Sequence, residues 1–170
     1  MEPVPECKCE DTIRRQTLAT PQIPGSGGER FSVIEVSIPL GARRLCGLLG
    51  ARFSPGSEKF LVEVRSRARG FEREVYRHAL IADHSDALCG RPDEFADSVM
   101  AAASTLGLEL GPGELVFEYA AHDLVGSSVV VFRGLARLVI QSLAADPERQ
   151  GAAALLEGLR SAFPPMRFKS

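Results

Sequence analysis

The chain lacks an apolar run approaching the ~18–20 residues of a membrane span. Its opening, Met1-Glu2-Pro3-Val4-Pro5-Glu6, has neither the basic start nor the apolar stretch of a signal peptide. A soluble, cytoplasmic protein without a membrane partner is the expectation. A surplus of either charge is also missing. Twenty basic residues face 22 acidic ones, a formal net charge of −2, which excludes a uniformly basic coat for nucleic acid but leaves room for a local basic patch. No repeat of ~20–50 residues occurs, and the only low-complexity stretch is the glycine-rich Gly25-Ser26-Gly27-Gly28. That stretch is no phosphate-binding loop, because no lysine followed by serine or threonine comes after it and the next segment reads as a strand. Neither GTP nor another cofactor is expected.

The four cysteines, Cys7, Cys9, Cys46 and Cys89, are not spaced as paired zinc ligands. Cys7-Lys8-Cys9 supplies at most half of such a site, and unpaired thiols in a reducing compartment explain them. His78, Asp83, His84 and Asp86 have no framework that would hold a metal, so no metal site is expected.

What is present is 170 residues, 45% hydrophobic and 25% charged, in the range of one globular domain. Residues 1–29 carry four prolines before the glycines and read as a flexible arm, regular only around Thr12–Arg15. Residues 30–145 form the domain proper. A β-branched run fills Arg30 to Ile38, and an apolar run fills Leu45 to Phe53. The turn Ser54-Pro55-Gly56-Ser57 folds the latter onto Lys59 to Arg69 as a hairpin. Strand character continues through Phe71 to Tyr76. Pro92, with Asp93 and Glu94, opens a helix striped by Phe95, Val99, Ala102 and Leu106. A strand from Glu114 to Ala121 leads through Gly126 to serine caps and a second helix, with Phe132, Leu135, Ala136, Val139 and Leu143 inward. Residues 146–170 add a third helix, striped by Leu155, Leu156, Leu159 and Phe163, and a tail. The order predicts an α/β (α+β) two-layer sandwich, a sheet with helices on one face.

Two constellations bear on chemistry. His122 and Asp123 beside Ser127 and Ser128 are the residue types of a hydrolase triad, but neighbours in extended chain point to opposite sides and cannot form a relay. A loop histidine, a turn aspartate and capping serines explain them, and no catalytic residue is assigned. Arg65, Arg67 and Arg69 alternate, so on a continuous strand they would share one face, with Arg73 and Arg77 beyond. Such a stripe suits a phosphate backbone; a solvated charged strand gives the same pattern.

Several segments, in order, resemble domain IV of translation elongation factor G. They are Asp11-Thr12-Ile13-Arg14; Ser26-Gly27-Gly28; Phe31-Ser32-Val33-Ile34-Glu35-Val36, ending at Pro39; Gly70-Phe71-Glu72; and Pro92-Asp93-Glu94-Phe95. The nearest likeness is His122-Asp123-Leu124-Val125-Gly126-Ser127-Ser128, with Phe132 and Ala136, which is similar to the family's His-Asp-Val-Asp-Ser-Ser motif and following helix. The likeness runs from about Asp11 to Leu143. It implies a ribosomal protein S5 domain 2-like fold with a left-handed βαβ crossover, against the usual hand. It also implies tip loops, Ser26, Gly27, Gly28 and His122 among them, that approach RNA in the ribosomal decoding site. The departures are a shorter Ser-Gly-Gly loop, a longer stretch over 40–69, Gly126 and an extra residue in place of the motif's second aspartate, and neither the GTPase domain nor the domain that normally follows domain IV within these residues. The expectation is a non-catalytic, stand-alone relative that binds the ribosome or structured RNA through Arg65, Arg67, Arg69 and the tip loops. The alternative is a protein–protein interaction module that binds no RNA.

Overall fold

A computed structural model describes residues 12–18, 28–56, 58–66, 87–145, 157, 158, 161 and 163. It is mixed α/β. Among the described residues six strands, β1 (Thr12–Leu18), β2 (Arg30–Leu40), β3 (Arg43–Pro55), β4 (Phe60–Ser66), β5 (Leu88–Cys89) and β6 (Gly113–His122), form one sheet. The sheet order is β1-β4-β6-β3-β2, with β5 pairing β6 at its end. The helices α1 (Ala96–Leu106) and α2 (Val129–Ala144) pack on it.

Local pattern accounts for most of these elements. The β2–β3 hairpin turns at Gly41, whose φ of 63° is the left-handed conformation glycine tolerates. Pro92 precedes a 3-10 turn with Asp93 and Glu94 in it, and α1 follows directly. Ser128 caps α2, its hydroxyl accepting from the Val131 N–H at 3.3 Å. The core lies between one sheet face, including Phe53, Phe60, Val62 and Phe117, and the inward stripes of both helices; Phe95 stacks on Phe132 at 5.0 Å. Phe163 closes this layer against Gly134, where even a Cβ would meet its ring at 2.6 Å. Residues 157, 158 and 161 are helical. Leu155, Leu156 and Leu159 lie outside the described residues.

Three expectations change. Part of the supposed arm is β1, at the edge of the sheet among the described residues, paired antiparallel with β4 from Thr12↔Ser66 to Leu18↔Phe60. The expected β3–β4 hairpin does not form. Instead β6 lies between the two, antiparallel to β3 and parallel to β4. The Gly113 N–H donates to the Lys59 carbonyl at 2.8 Å and the Gly56 N–H to that of Pro112 at 3.0 Å, so the turn passes over the start of β6. Local turn chemistry was right that the chain reverses and silent on which strand fills the gap. Lastly, Cys89 is disulfide-bonded while Cys46 is a buried free thiol, so not every cysteine stays reduced. The expected strand over 71–76 lies outside the described residues.

Candidate binding surface at the end of the sheet

On strand β4, Leu61, Glu63 and Arg65 face away from the helices, alternating with the core residues Phe60, Val62 and Val64. The register between β3 and β6 skips one residue between Gly50↔Tyr119 and Ala51↔Phe117, so Glu118 sits in a bulge. The result is a continuous chain of ion pairs across the sheet. Arg15 on β1 and Arg65 each donate to Glu63 at 2.6 Å; Arg65 also reaches Glu118 at 3.3 Å. Arg52 on β3 lies 3.5 Å from Glu118 and 2.8 Å from Glu29. Glu63 and Glu118 are 2% and 5% exposed. Burial pushes the Glu63 carboxyl up, but hydrogen bonds and charge from Arg15 and Arg65 outweigh it and hold the group below its usual range.

Arg65 is therefore not one of a row of free cations. Its charge is taken up by two buried carboxylates. Arg67 and Arg69 lie outside the described residues. Alternation fixed the face of Arg65 correctly, but the opposing carboxylate Glu118 comes from a strand 53 residues away.

His122 is a second correction. It is the last residue of β6, not part of an exposed loop, and it is 6% exposed. Its Nδ1 lies 2.9 Å from the Gly90 carbonyl oxygen, because β5 runs alongside with Leu88 opposite His122. Nor does Gly28 lie beside His122. Gly28 is exposed and precedes β2, whose Arg30 pairs with Phe53, itself opposite Leu115 at the start of β6. His122 terminates the other end of β6, seven residues on, or roughly 20 Å at strand rise. Ser26 and Gly27 lie outside the described residues.

Beyond His122 the motif builds a tight turn. The Asp123 carboxylate accepts from the N–H groups of Val125 (3.2 Å) and Gly126 (2.6 Å). The Ser127 hydroxyl accepts from the Asp123 N–H at 2.9 Å and donates to the Cys46 carbonyl at 2.6 Å. Gly126 is wedged in: a Cβ there would lie 2.4 Å from Cys46 Sγ and 2.6 Å from the Arg44 carbonyl. That is why no aspartate can stand at this position. Imidazole, carboxylate and hydroxyls are each engaged by backbone and not by one another. Burial, followed by the Asp123 charge, pushes the Cys46 thiol up to about 11, which leaves it protonated and a poor nucleophile.

The turn presents Leu124 and Val125 to solvent, and the first turn of α2 adds Val129 and Val130. The adjacent hairpin ends in Arg43, and Arg133 and Arg137 follow along α2. Among the described residues no carboxylate pairs with Arg43, Arg133 or Arg137. Sequence reasoning turned Phe132, Leu135, Ala136, Val139 and Leu143 inward, which leaves Arg133 and Arg137 off that stripe, but it did not show that they stay unpaired. It passed over Leu124-Val125, although two aliphatics in a turn between strand and cap were the available signal. No family model matches the chain, and no curated protein does.

Proposed function

We propose that the chain is a non-catalytic binding protein of the elongation factor G domain IV type, on a ribosomal protein S5 domain 2-like fold, that docks on RNA or the ribosome. The fold reading is supported by the β4–α1–β6 parallel unit beside an antiparallel hairpin, and by the His122–Ser128 motif standing between the last described strand and a capped helix. Arg65, already bridged to Glu63 and Glu118, is not part of the docking surface. That surface is the end where Arg43 lies beside the motif and Arg133 and Arg137 follow along α2, and the observation that carries this reading is that these three have no ion-pair partner among the described residues while the sheet arginines do. Free guanidinium groups can displace the counterions of a polyphosphate; paired ones must first break their own bridges.

The test is the salt dependence of binding to ribosomes or structured RNA. Arg43→Ala with Arg133→Ala should lower the log–log slope by roughly 0.7–0.9 per lost contact, with the fold intact. A slope that stays at the wild-type value rejects the surface. A second reading, a protein-interaction module without RNA, is favoured by the aliphatic exposure of Leu124 and Val125; it predicts no nucleic-acid binding at any salt.

A further inference from the structure

We propose that this same end of the sheet, formed by the 123–128 turn and the first turn of α2, is a docking surface for an anionic lipid bilayer. The proposal goes beyond RNA binding and departs from the sequence expectation of no membrane contact. No helix of the described residues is long and apolar enough to cross a membrane, so the contact is peripheral.

Leu124 and Val125 are 74% and 80% exposed, and Val130 is 64% exposed. Fraying does not explain it. The turn is held by Asp123 and Ser127 through hydrogen bonds of 2.6–3.2 Å, and Gly126 is packed against Cys46 and Arg44. A preorganised turn that displays aliphatic side chains marks a contact surface.

Charge and depth choose the occupant. Arg133 follows Val130 by three residues, so it shares that face about 5 Å further along the axis. α2 starts at this end, where Val131 and Leu135 pack on Gly47, and finishes at the other, where the Leu143 carbonyl accepts from Arg30. The arginine is thus set back behind the aliphatic tip. An interfacial apolar face sinks about 5–10 Å to the boundary of headgroups and acyl chains, so a tip inserted to this depth leaves Arg133 level with the lipid phosphates. Arg43, on the neighbouring hairpin, adds a second cation without a carboxylate partner among the described residues. RNA recognition draws on aromatic planes, guanidinium groups and hydrogen-bond donors, and it leaves Leu124 and Val125 unused.

The experiment is co-sedimentation of the full chain with phosphatidylcholine vesicles, with and without phosphatidylglycerol. Binding is expected to the mixed vesicles, weakening as salt screens the headgroups. Leu124→Ser with Val125→Ser should cut the partition coefficient roughly tenfold or more, and Arg133→Ala about fivefold. The serine pair is solvent-facing, so its thermal melt should match wild type, and it should keep wild-type RNA binding because every arginine remains. Val130→Ser provides an independent loss from outside the turn. Absence of binding to the anionic vesicles at low salt, or equal binding by the serine pair and wild type, overturns the proposal and leaves the tip to a protein partner. Failure of the RNA reading would change none of these readouts, since they use lipid alone.

Discussion

Two sets of arginines divide the molecule. On the sheet, Arg15, Arg65 and Arg52 alternate with Glu63, Glu118 and Glu29 across β1, β4, β6 and β3, so three positive charges meet three negative ones. On the hairpin tip and the outer side of α2, Arg43, Arg133 and Arg137 meet none among the described residues. The residue type is the same, yet the first set ties neighbouring strands together through buried carboxylates and the second carries charge that no carboxylate of the described residues meets. What separates them is the depth of the partner: a carboxylate buried on the sheet face must be neutralised from within, whereas a guanidinium on an outer helix turn is already solvated.

The largest effect should come from breaking the first set at its centre. Glu63 has two arginines on its two oxygens and is 2% exposed. Glu63→Ala should destabilise the fold by about 2–3 kcal/mol in denaturant unfolding, because the half-buried Arg65 loses its closest counter-charge. The same site sets an acid limit. Since the folded carboxyl titrates below its ordinary value of 4.5, its contribution is fully present above that value and is lost as pH falls through the lower folded one. Glu63→Gln should flatten the acid limb of the stability curve. An acid limb with unchanged slope in Glu63→Gln would show that Glu63 is not held down by its arginines.

The legible parts of the fold were those that local pattern decides. The β-branched run of β2, the helix stripe through Phe132, Leu135 and Val139, and the Ser128 cap each depend on neighbours within a few residues. Strand partners were not legible. That β6 separates β3 from β4 depends on which strands share the core, a choice made after residues far apart have met. The candidate site was half legible for the same reason. The motif from His122 to Ser128 stood out, and its turn and cap follow from Asp123, Gly126 and Ser128. The burial of His122 did not, because it arises from a two-residue strand, Leu88–Cys89, too short to leave a periodic signal.

His122 gives the intermediate effect and tests whether the boundary between the buried sheet and the exposed tip lies where β6 ends. His122→Ala removes a hydrogen bond to the Gly90 carbonyl and leaves space beside β5. A loss of about 1–2 kcal/mol is expected, with RNA and vesicle binding altered only in proportion to unfolding. A variant as stable as wild type but defective in binding would put His122 on the contact surface after all.

The smallest effect belongs to the second set, and its smallness is the point. Arg133 is exposed, lies on the outer face of α2 and has no carboxylate partner among the described residues, so Arg133→Ala removes a solvated charge and introduces a residue with slightly better helix propensity. Thermal stability should stay within about 0.5 kcal/mol of wild type. Arg65→Ala is the matched control: it removes the same chemical group from a side chain 22% exposed and bonded to Glu63 and Glu118. It should cost more than Arg133→Ala in unfolding and leave the salt dependence of ligand binding where it was. Measured together by thermal melts and by binding at several salt concentrations, the two variants should give opposite patterns, stability lost without binding and binding lost without stability. If both move stability alike, the unpaired arginines are bridged in solution, and the division between a cohesive sheet and a ligand-facing end does not hold.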